Sequence, residues 1–142
     1  DYQRGLIREF AGRADVTEVP CPGLADAIEH ADEAAIDQAV AAASALTPSG
    51  VRAVVLGCTH YELVGERIAD AVRRKGSPGA ELYGSAGAVA AQALRRTGAG
   101  STSDGAPGAR LTVLLSGREG ALPAAALTYL EGRLLQAVSP AL

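Results

Sequence analysis

The chain has 142 residues, enough for one domain with a sizeable core, and its net charge of −3 comes from intermixed acidic and basic residues. Because it has no basic stripe, we expect no nucleic-acid partner, and because no apolar run approaches the roughly 20 residues of a bilayer span, we expect no membrane insertion. Two cysteines do not make a disulfide framework. Position 1 is Asp and methionine is absent, so we expect an incomplete chain.

Short apolar runs alternate with segments of helical periodicity. We predict strands at 16–19, 51–56, 81–83 and 111–115. We predict helices at 2–11, 61–74, 86–96 and 122–138, and one helix or a pair of helices at 24–46. Ser85 can cap the helix at 86–96. The alternation predicts an α/β fold in which a mostly parallel sheet carries helices on both faces.

A polar, glycine-rich segment at 98–109 has the composition of a flexible linker. It divides the chain into a first domain, 1–97, and a C-terminal strand and helix, 110–142. One strand and one helix cannot bury their own apolar sides, so the C-terminal piece needs a partner surface.

The most informative residues follow the apolar run at 51–56. Gly57 ends this run and is followed by Cys58, Thr59 and His60. In parallel sheets, reactive groups lie at the carboxyl ends of strands, and the helical pattern after Tyr61 places Cys58 near a helix start. Unpaired N–H groups there favour a thiolate or a bound carboxylate. His60 could exchange a proton with the thiol or orient a substrate, and Thr59 could donate to a carboxylate.

The segment Gly57-Cys58-Thr59-His60-Tyr61 resembles the second catalytic-cysteine segment of the cofactor-independent glutamate racemases. Three further segments resemble that family in the same order: Cys21-Pro22-Gly23-Leu24 followed by Glu29, then Glu81-Leu82-Tyr83-Gly84-Ser85-Ala86, then Leu114-Leu115-Ser116-Gly117. The resemblance thus extends over nearly the whole chain. It implies an aspartate/glutamate racemase-like fold of which this chain is the second domain and the C-terminal return segment.

The resemblance implies a two-base reaction without a cofactor, in which one thiolate removes the α-proton of glutamate and a second thiol supplies a proton on the opposite face. Cys58 would be one of the two, Thr59 and His60 would bind substrate, and Glu29 and His60 would support proton transfer. The first catalytic cysteine of the family lies in an N-terminal half whose Asp-Ser-Gly and Ala-Cys-Asn-Thr segments do not occur here. We expect that half as a partner, and residues 110–142 to pack on it.

The family's product, D-glutamate, serves peptidoglycan synthesis, and a catalytic thiol favours a reducing, cytoplasmic compartment. Pairing of two copies of this chain in a homodimer is an alternative partner arrangement. His60 favours glutamate over aspartate, since aspartate racemases usually carry glutamate at that place. Two positions depart from the family pattern: Glu62 replaces a common proline, and Gly84 replaces a residue that is often polar.

Other interpretations of the reactive residues have less support. Flanked by prolines, Cys21 is best explained as a small buried residue, and the family's cysteine there is not catalytic. Without the resemblance, Glu29 would be a solvated helix residue. Cys21, Cys58, His30 and His60 have the chemistry of zinc ligands but match no compact zinc spacing, so we predict no metal. Ser116 lacks the Gly-x-Ser-x-Gly context of a serine hydrolase.

We therefore predict a glutamate racemase chain that is inactive without its N-terminal half. One alternative is a non-catalytic chain that keeps the scaffold and binds a small carboxylate. Another is a related decarboxylase or isomerase that uses a single cysteine.

Overall fold

The structure is a computed structural model that describes residues 2–98 and 111–138. Its α-helices are α1 (Tyr2–Phe10), α2 (Leu24–Glu29), α3 (Glu33–Leu46), α4 (Gly65–Arg74), α5 (Ala86–Thr97) and α6 (Leu130–Val138). Its strands are β1 (Ala53–Val55), β2 (Glu81–Tyr83), β3 (Val113–Leu115) and β4 (Arg118–Gly120), and 3₁₀ helices occupy Thr59–Val64 and Ala124–Thr128. The predicted linker at 98–109 lies outside the described residues, except for Gly98. Residue 110 also lies outside them.

β1 and β2 form a parallel pair in which Val54 lies opposite Leu82. The backbone N–H of Leu56 donates to the carbonyl of Tyr83 at 2.9 Å, so the pairing continues just beyond β1. Parallel strands end at the same edge of a sheet. The chain leaving β1 and the chain leaving β2 therefore start side by side.

The two sides of this strand pair differ in burial. Val54 and Leu82 are half-buried, whereas Val55 and Tyr83 on the other side are 77% and 50% exposed. A Cβ placed on Gly65 would lie 3.0 Å from Leu82 Cδ2, so α4 begins directly against β2. Helices and a small parallel sheet thus combine as the α/β prediction requires. The larger sheet with helices on both faces stays a prediction.

The core lies where α2, α3 and the 3₁₀ helix at 59–64 meet. Its buried residues are Leu24, Ala27, Ile28, Ile36, Val40, Val64 and Tyr129. Small side chains of α3 and α4, such as Ala35, Ala39 and Ala71, pack around it. Close helix packing is what an alanine-rich composition favours.

The segment 24–46 forms two helices rather than one. Ala31 adopts φ 52°, a left-handed conformation that ends α2. The Asp32 side chain then accepts a hydrogen bond from the N–H of Ala35 at 3.0 Å and caps α3. This break leaves Glu29 as the last residue of α2.

Tyr129 joins the C-terminal segment to this core. It is 8% exposed, and its hydroxyl donates to the carbonyl of Ile28 at 2.7 Å. Other apolar residues of the segment face solvent, since Leu114 and Leu134 are 62% and 57% exposed. The domain division at 98–109, and the packing of 110–142 on an N-terminal domain, stay predictions.

The predicted strand at 16–19 is wrong, because these residues belong to neither a helix nor a strand. Val16 is 45% exposed. Strands need neighbours to share backbone hydrogen bonds, and in the described part of the chain the strands pair only β1 with β2 and β3 with β4. An apolar pattern without a partner strand does not make a sheet.

The predicted buried strand at 111–115 is only partly right. β3 occupies Val113–Leu115 and pairs with β4 as an antiparallel hairpin, which the sequence analysis did not predict. Ser116 and Gly117 have φ 50° and 81°, the two positive values of a tight hairpin turn. Leu114 and Leu115 are exposed, so the expectation of burial was wrong.

Three other element boundaries differ from the predictions. The strand predicted at 51–56 is limited to Ala53–Val55. The predicted helix at 122–138 is a 3₁₀ helix at Ala124–Thr128 followed by α6, with Tyr129 between them in extended conformation. The helix predicted from Tyr61 begins only at Gly65.

Tyr129→Phe should test whether the C-terminal segment is held to the core. Removing the buried hydroxyl leaves the Ile28 carbonyl without that donor, so we expect the free energy of unfolding to fall by about 1 kcal/mol. Tyr83→Phe is the matched control, because that hydroxyl bonds an exposed Glu81 carboxylate, and we expect a change below about 0.5 kcal/mol. Urea unfolding measures both, and equal effects would contradict the contact.

Candidate active site

The candidate site lies at the carboxyl edge of the β1–β2 pair. Beyond β1 the chain runs through Gly57, Cys58, Thr59 and His60, as predicted for a strand that presents reactive groups. Cys58 itself is extended, with φ −144° and ψ 135°, and precedes the 3₁₀ helix at 59–64. This places the thiol before a six-residue 3₁₀ turn.

Cys58 thus lies at a helix start, as predicted, but the helix is a 3₁₀ helix of which Cys58 is the N-cap residue. The α-helix begins at Gly65, after the whole 3₁₀ turn. The N-terminus of α4 is therefore separated from Cys58 by the 3₁₀ turn, and its dipole does not act on the thiol from an adjacent residue. The polar group that contacts the thiol is a side chain.

That side chain is His60. Its Nδ1 lies 3.7 Å from Cys58 Sγ, within reach of a hydrogen bond to sulfur. Its Nε2 lies 2.8 Å from Glu29 Oε2. The imidazole thus connects the thiol to a carboxylate, and we call Cys58, His60 and Glu29 the Cys–His–Glu line.

The line has a defined chemistry. When Glu29 accepts a proton bonded to Nε2, Nδ1 is free to accept the thiol proton, and the imidazolium that forms is stabilised between thiolate and carboxylate. A carboxylate that orients a histidine which in turn faces a nucleophile is the general arrangement of an activated thiol or hydroxyl.

Long-range packing builds this line, because Glu29 and His60 are 31 residues apart in sequence. The end of α2 packs against the 3₁₀ turn, and the break at Ala31 ends the helix right after Glu29. The structure thus brings together three of the four residues that the resemblance singled out. Thr59 lies between Cys58 and His60 and is exposed.

The site faces solvent in this chain. The side chains of His60 and Glu29 are 39% and 64% exposed. An ion pair with this exposure contributes little to stability, about 0 to 1 kcal/mol. Its value lies in orientation of the imidazole rather than in folding energy.

Cys21 lies beside Tyr61. The Tyr61 hydroxyl donates to the Cys21 carbonyl at 3.3 Å, and Cys21 Sγ donates to the carbonyl of Val19 at 3.6 Å. Burial raises the pKa of the Cys21 thiol and also that of the Tyr61 phenol, with the two cysteines adding to the latter. These contacts favour a neutral, structural thiol at Cys21.

The sequence analysis missed the role of Glu62. Its carboxylate accepts hydrogen bonds from the Ser85 N–H at 2.7 Å, the Ser85 hydroxyl at 2.9 Å and the Ala86 N–H at 3.1 Å. Ser85 is the N-cap residue of α5, as expected, but its side chain makes no capping bond to the helix and donates to Glu62 instead. No local pattern could reveal this contact, because the partners lie 23 residues apart.

Within residues 2–98 and 111–138, no cluster of three or more His, Cys, Asp or Glu side chains could hold a metal ion. In the same part of the chain, no helix combines the length and apolarity of a membrane span. The predictions concerning metals, cofactors and location stay predictions.

Comparison with known proteins finds seven curated relatives that match the chain significantly. The relative from Herpetosiphon aurantiacus, a glutamate racemase, is 35% identical over 97 residues, which cover 66% of this chain and 36% of the relative. The glutamate racemase of Cereibacter sphaeroides is 37% identical over 94 residues, covering 61% of this chain and 33% of the relative. That of a Jannaschia species is 44% identical over 68 residues, covering 43% and 25%.

These comparisons confirm the predicted resemblance to part of a glutamate racemase. The chain spans between 25% and 36% of the length of these three relatives. No family model matches the chain, and no solved structure matches it significantly.

His60→Asn should slow alkylation of Cys58 if the imidazole assists the thiol. In a Cys21→Ala background, we expect iodoacetamide to react at neutral pH roughly tenfold more slowly, because no imidazole then takes the thiol proton as the bond to carbon forms. His30→Asn is the matched control, since His30 bonds the Asp26 carbonyl at 2.9 Å and does not belong to the line. Equal rates for His60→Asn and the parent would contradict the Cys–His–Glu line.

The Glu62 carboxylate should also give stability a defined pH dependence. Bonds from the Ser85 and Ala86 N–H groups lower the pKa of Glu62, so the folded state holds the carboxylate more readily than the unfolded chain does. The resulting stability is present above the ordinary glutamate range and is lost as pH falls through the lowered pKa. The difference in unfolding free energy between the parent and Glu62→Gln should thus be constant near neutrality and shrink in acid. A difference that grows in acid would contradict the assignment.

Proposed function

We propose that this chain supplies one half of a glutamate racemase active site, in which Cys58 acts as acid or base on one face of the substrate α-carbon. The observation that carries the proposal is the Cys–His–Glu line, with His60 at 3.7 Å from the thiol and 2.8 Å from Glu29. The match to part of glutamate racemases supports the substrate.

In the proposed step, His60 takes the thiol proton and Glu29 stabilises the imidazolium. The Cys58 thiolate then removes the α-proton, so that the C–H bond breaks and its electron pair stays on the α-carbon. In the reverse direction the protonated thiol returns a proton to that carbon. No cofactor takes part in the proposed reaction.

Substrate orientation would come from the same turn. Thr59 directly follows Cys58 and is exposed, so its hydroxyl and backbone N–H are available to donate to a carboxylate. His60 would orient the substrate in addition to its proton-transfer role. A carboxylate held beside the thiol brings the α-carbon to Cys58.

Inversion requires a proton donor on the opposite face, because one base that removes and returns a proton on one face restores the starting enantiomer. The sequence contains two cysteines, and Cys21 is held by burial and backbone contacts as a neutral thiol. We therefore assign the second thiol to a partner, the N-terminal half of a racemase. The assembled racemase would make D-glutamate in the cytoplasm for peptidoglycan synthesis.

One observation favours a second candidate function. The described site presents one thiol and is open to solvent, with Glu29 64% exposed. A chain of this kind could bind a small carboxylate without turnover, or perform one-cysteine decarboxylation or isomerisation. The experiment below separates these functions.

The test is proton NMR of L- and D-glutamate in deuterated buffer with the purified chain. We expect loss of the α-proton signal of one enantiomer without inversion, since one thiol serves one face. Cys58→Ala should slow this exchange at least about a hundredfold, the usual scale of losing an acid–base group. Cys21→Ala, the matched control, should leave it unchanged.

Polarimetry follows inversion in the same samples. Adding a purified N-terminal half of a glutamate racemase should convert exchange into inversion that depends on Cys58. Inversion by the chain alone would mean that two copies complete one site, as in a homodimer. Exchange that persists in Cys58→Ala, or glutamate binding without any exchange, would contradict the proposed role of Cys58.

A further inference from the structure

The Glu62 carboxylate connects two turns at the carboxyl edge of the sheet. Glu62 lies in the 3₁₀ turn that carries His60, and its partners Ser85 and Ala86 form the start of α5. The first N–H groups of a helix have no partner within the helix, and a carboxylate satisfies them while opposing the positive end of the dipole. We call these three residues the Glu62 clamp.

Gly84 makes room for this clamp. A Cβ at this position would lie 2.5 Å from Glu62 Cδ and 2.5 Å from its Oε2, far closer than atoms approach in folded proteins. Any side chain at position 84 would thus displace the carboxylate. The clamp depends on two features, a carboxylate at 62 and the missing side chain at 84.

The clamp acts on the residues of the candidate site through the backbone. Cys58 and His60 lie just before Glu62, and the 3.7 Å approach of sulfur to Nδ1 depends on how this turn is held. The other end of the turn is fixed by the core, because Val64 is 4% exposed. Without the Glu62 carboxylate, the 3₁₀ turn would lose its side-chain hydrogen bonds to Ser85 and Ala86, which follow β2.

We propose that Glu62 is a positioning residue, which holds the Thr59–Val64 turn against the start of α5 so that His60 reaches both Cys58 and Glu29. Its catalytic meaning rests on the proposed racemase function. Its structural consequence, the alignment of thiol and imidazole, does not need glutamate turnover to be measured.

The test is the rate of Cys58 alkylation by iodoacetamide as a function of pH, in a Cys21→Ala background. We expect Glu62→Ala to lower the rate near neutral pH about tenfold and to flatten the part of the profile that depends on His60. Glu62→Gln keeps an oxygen acceptor and should recover part of the rate. Glu66→Ala is the matched control, because that side chain is 91% exposed on α4, and it should leave the profile unchanged.

Gly84→Ala provides a second, independent variant. It keeps Glu62 but should displace the carboxylate, so we expect the same loss as in Glu62→Ala. In the double variant the two losses should not add, because both remove one interaction. Circular dichroism and thermal unfolding show that each variant is folded under the assay conditions.

Three outcomes would overturn the proposal. The first is a Glu62→Ala chain whose pH profile equals that of the parent while only its unfolding temperature falls. The others are a Gly84→Ala chain that reacts like the parent and additive losses in the double variant. None of them depends on the racemase proposal. Conversely, a chain that shows the predicted alkylation profiles but exchanges no glutamate α-proton even with a racemase N-terminal half added would contradict the racemase function alone.

Discussion

The parallel pairing of β1 with β2 is the constraint on which the candidate site depends. Because both strands end at one edge, the turn with Cys58 and His60 starts beside the turn at 84–86, and Glu62 can join them. The α2 helix then packs on the 3₁₀ turn and delivers Glu29 to His60. Three residues on each strand thus place the turn with Cys58, His60 and Glu62 beside Ser85. If the pairing slipped, the contact of Glu62 with Ser85 would be lost.

Glu62 and Gly84 are the two positions at which this sequence departs from the racemase pattern that it resembles. Taken singly, the Glu62 departure weakened the expectation of substrate, and the Gly84 departure had no evident consequence. The structure shows that they fit one another, because the carboxylate occupies the volume that a side chain at 84 would fill. The glycine at 84 and the carboxylate at 62 are therefore both explained by the contact that holds the Thr59–Val64 turn against Ser85. The departures therefore bear on the support of Cys58 and His60 more than on substrate choice.

Local sequence patterns predicted local structure and failed where distant residues decide. The pair of helices at 24–46 was one of the two predicted possibilities, and the strand at 81–83 was predicted at its observed limits. The strand at 16–19 failed because a strand also requires a neighbour. The hairpin at β3–β4 was missed although Ser116-Gly117 is a recognisable two-residue turn. Glu29 was identified only through family resemblance, since its contact to His60 spans 31 residues. Glu62 stood out only as a departure from the family pattern, and its contact to Ser85 spans 23 residues.

Two features of the site have one explanation under the proposed function. A racemase needs a proton donor on each face of the α-carbon, and in the proposal Cys58 serves one of the two faces. A strong His60–Glu29 contact also needs shielding from water. In this chain the two side chains are 39% and 64% exposed, so the contact is weak. A single covering domain that carried the second thiol would meet both needs at once. The chain spans at most 36% of the three relatives compared, so such proteins have ample length for that domain.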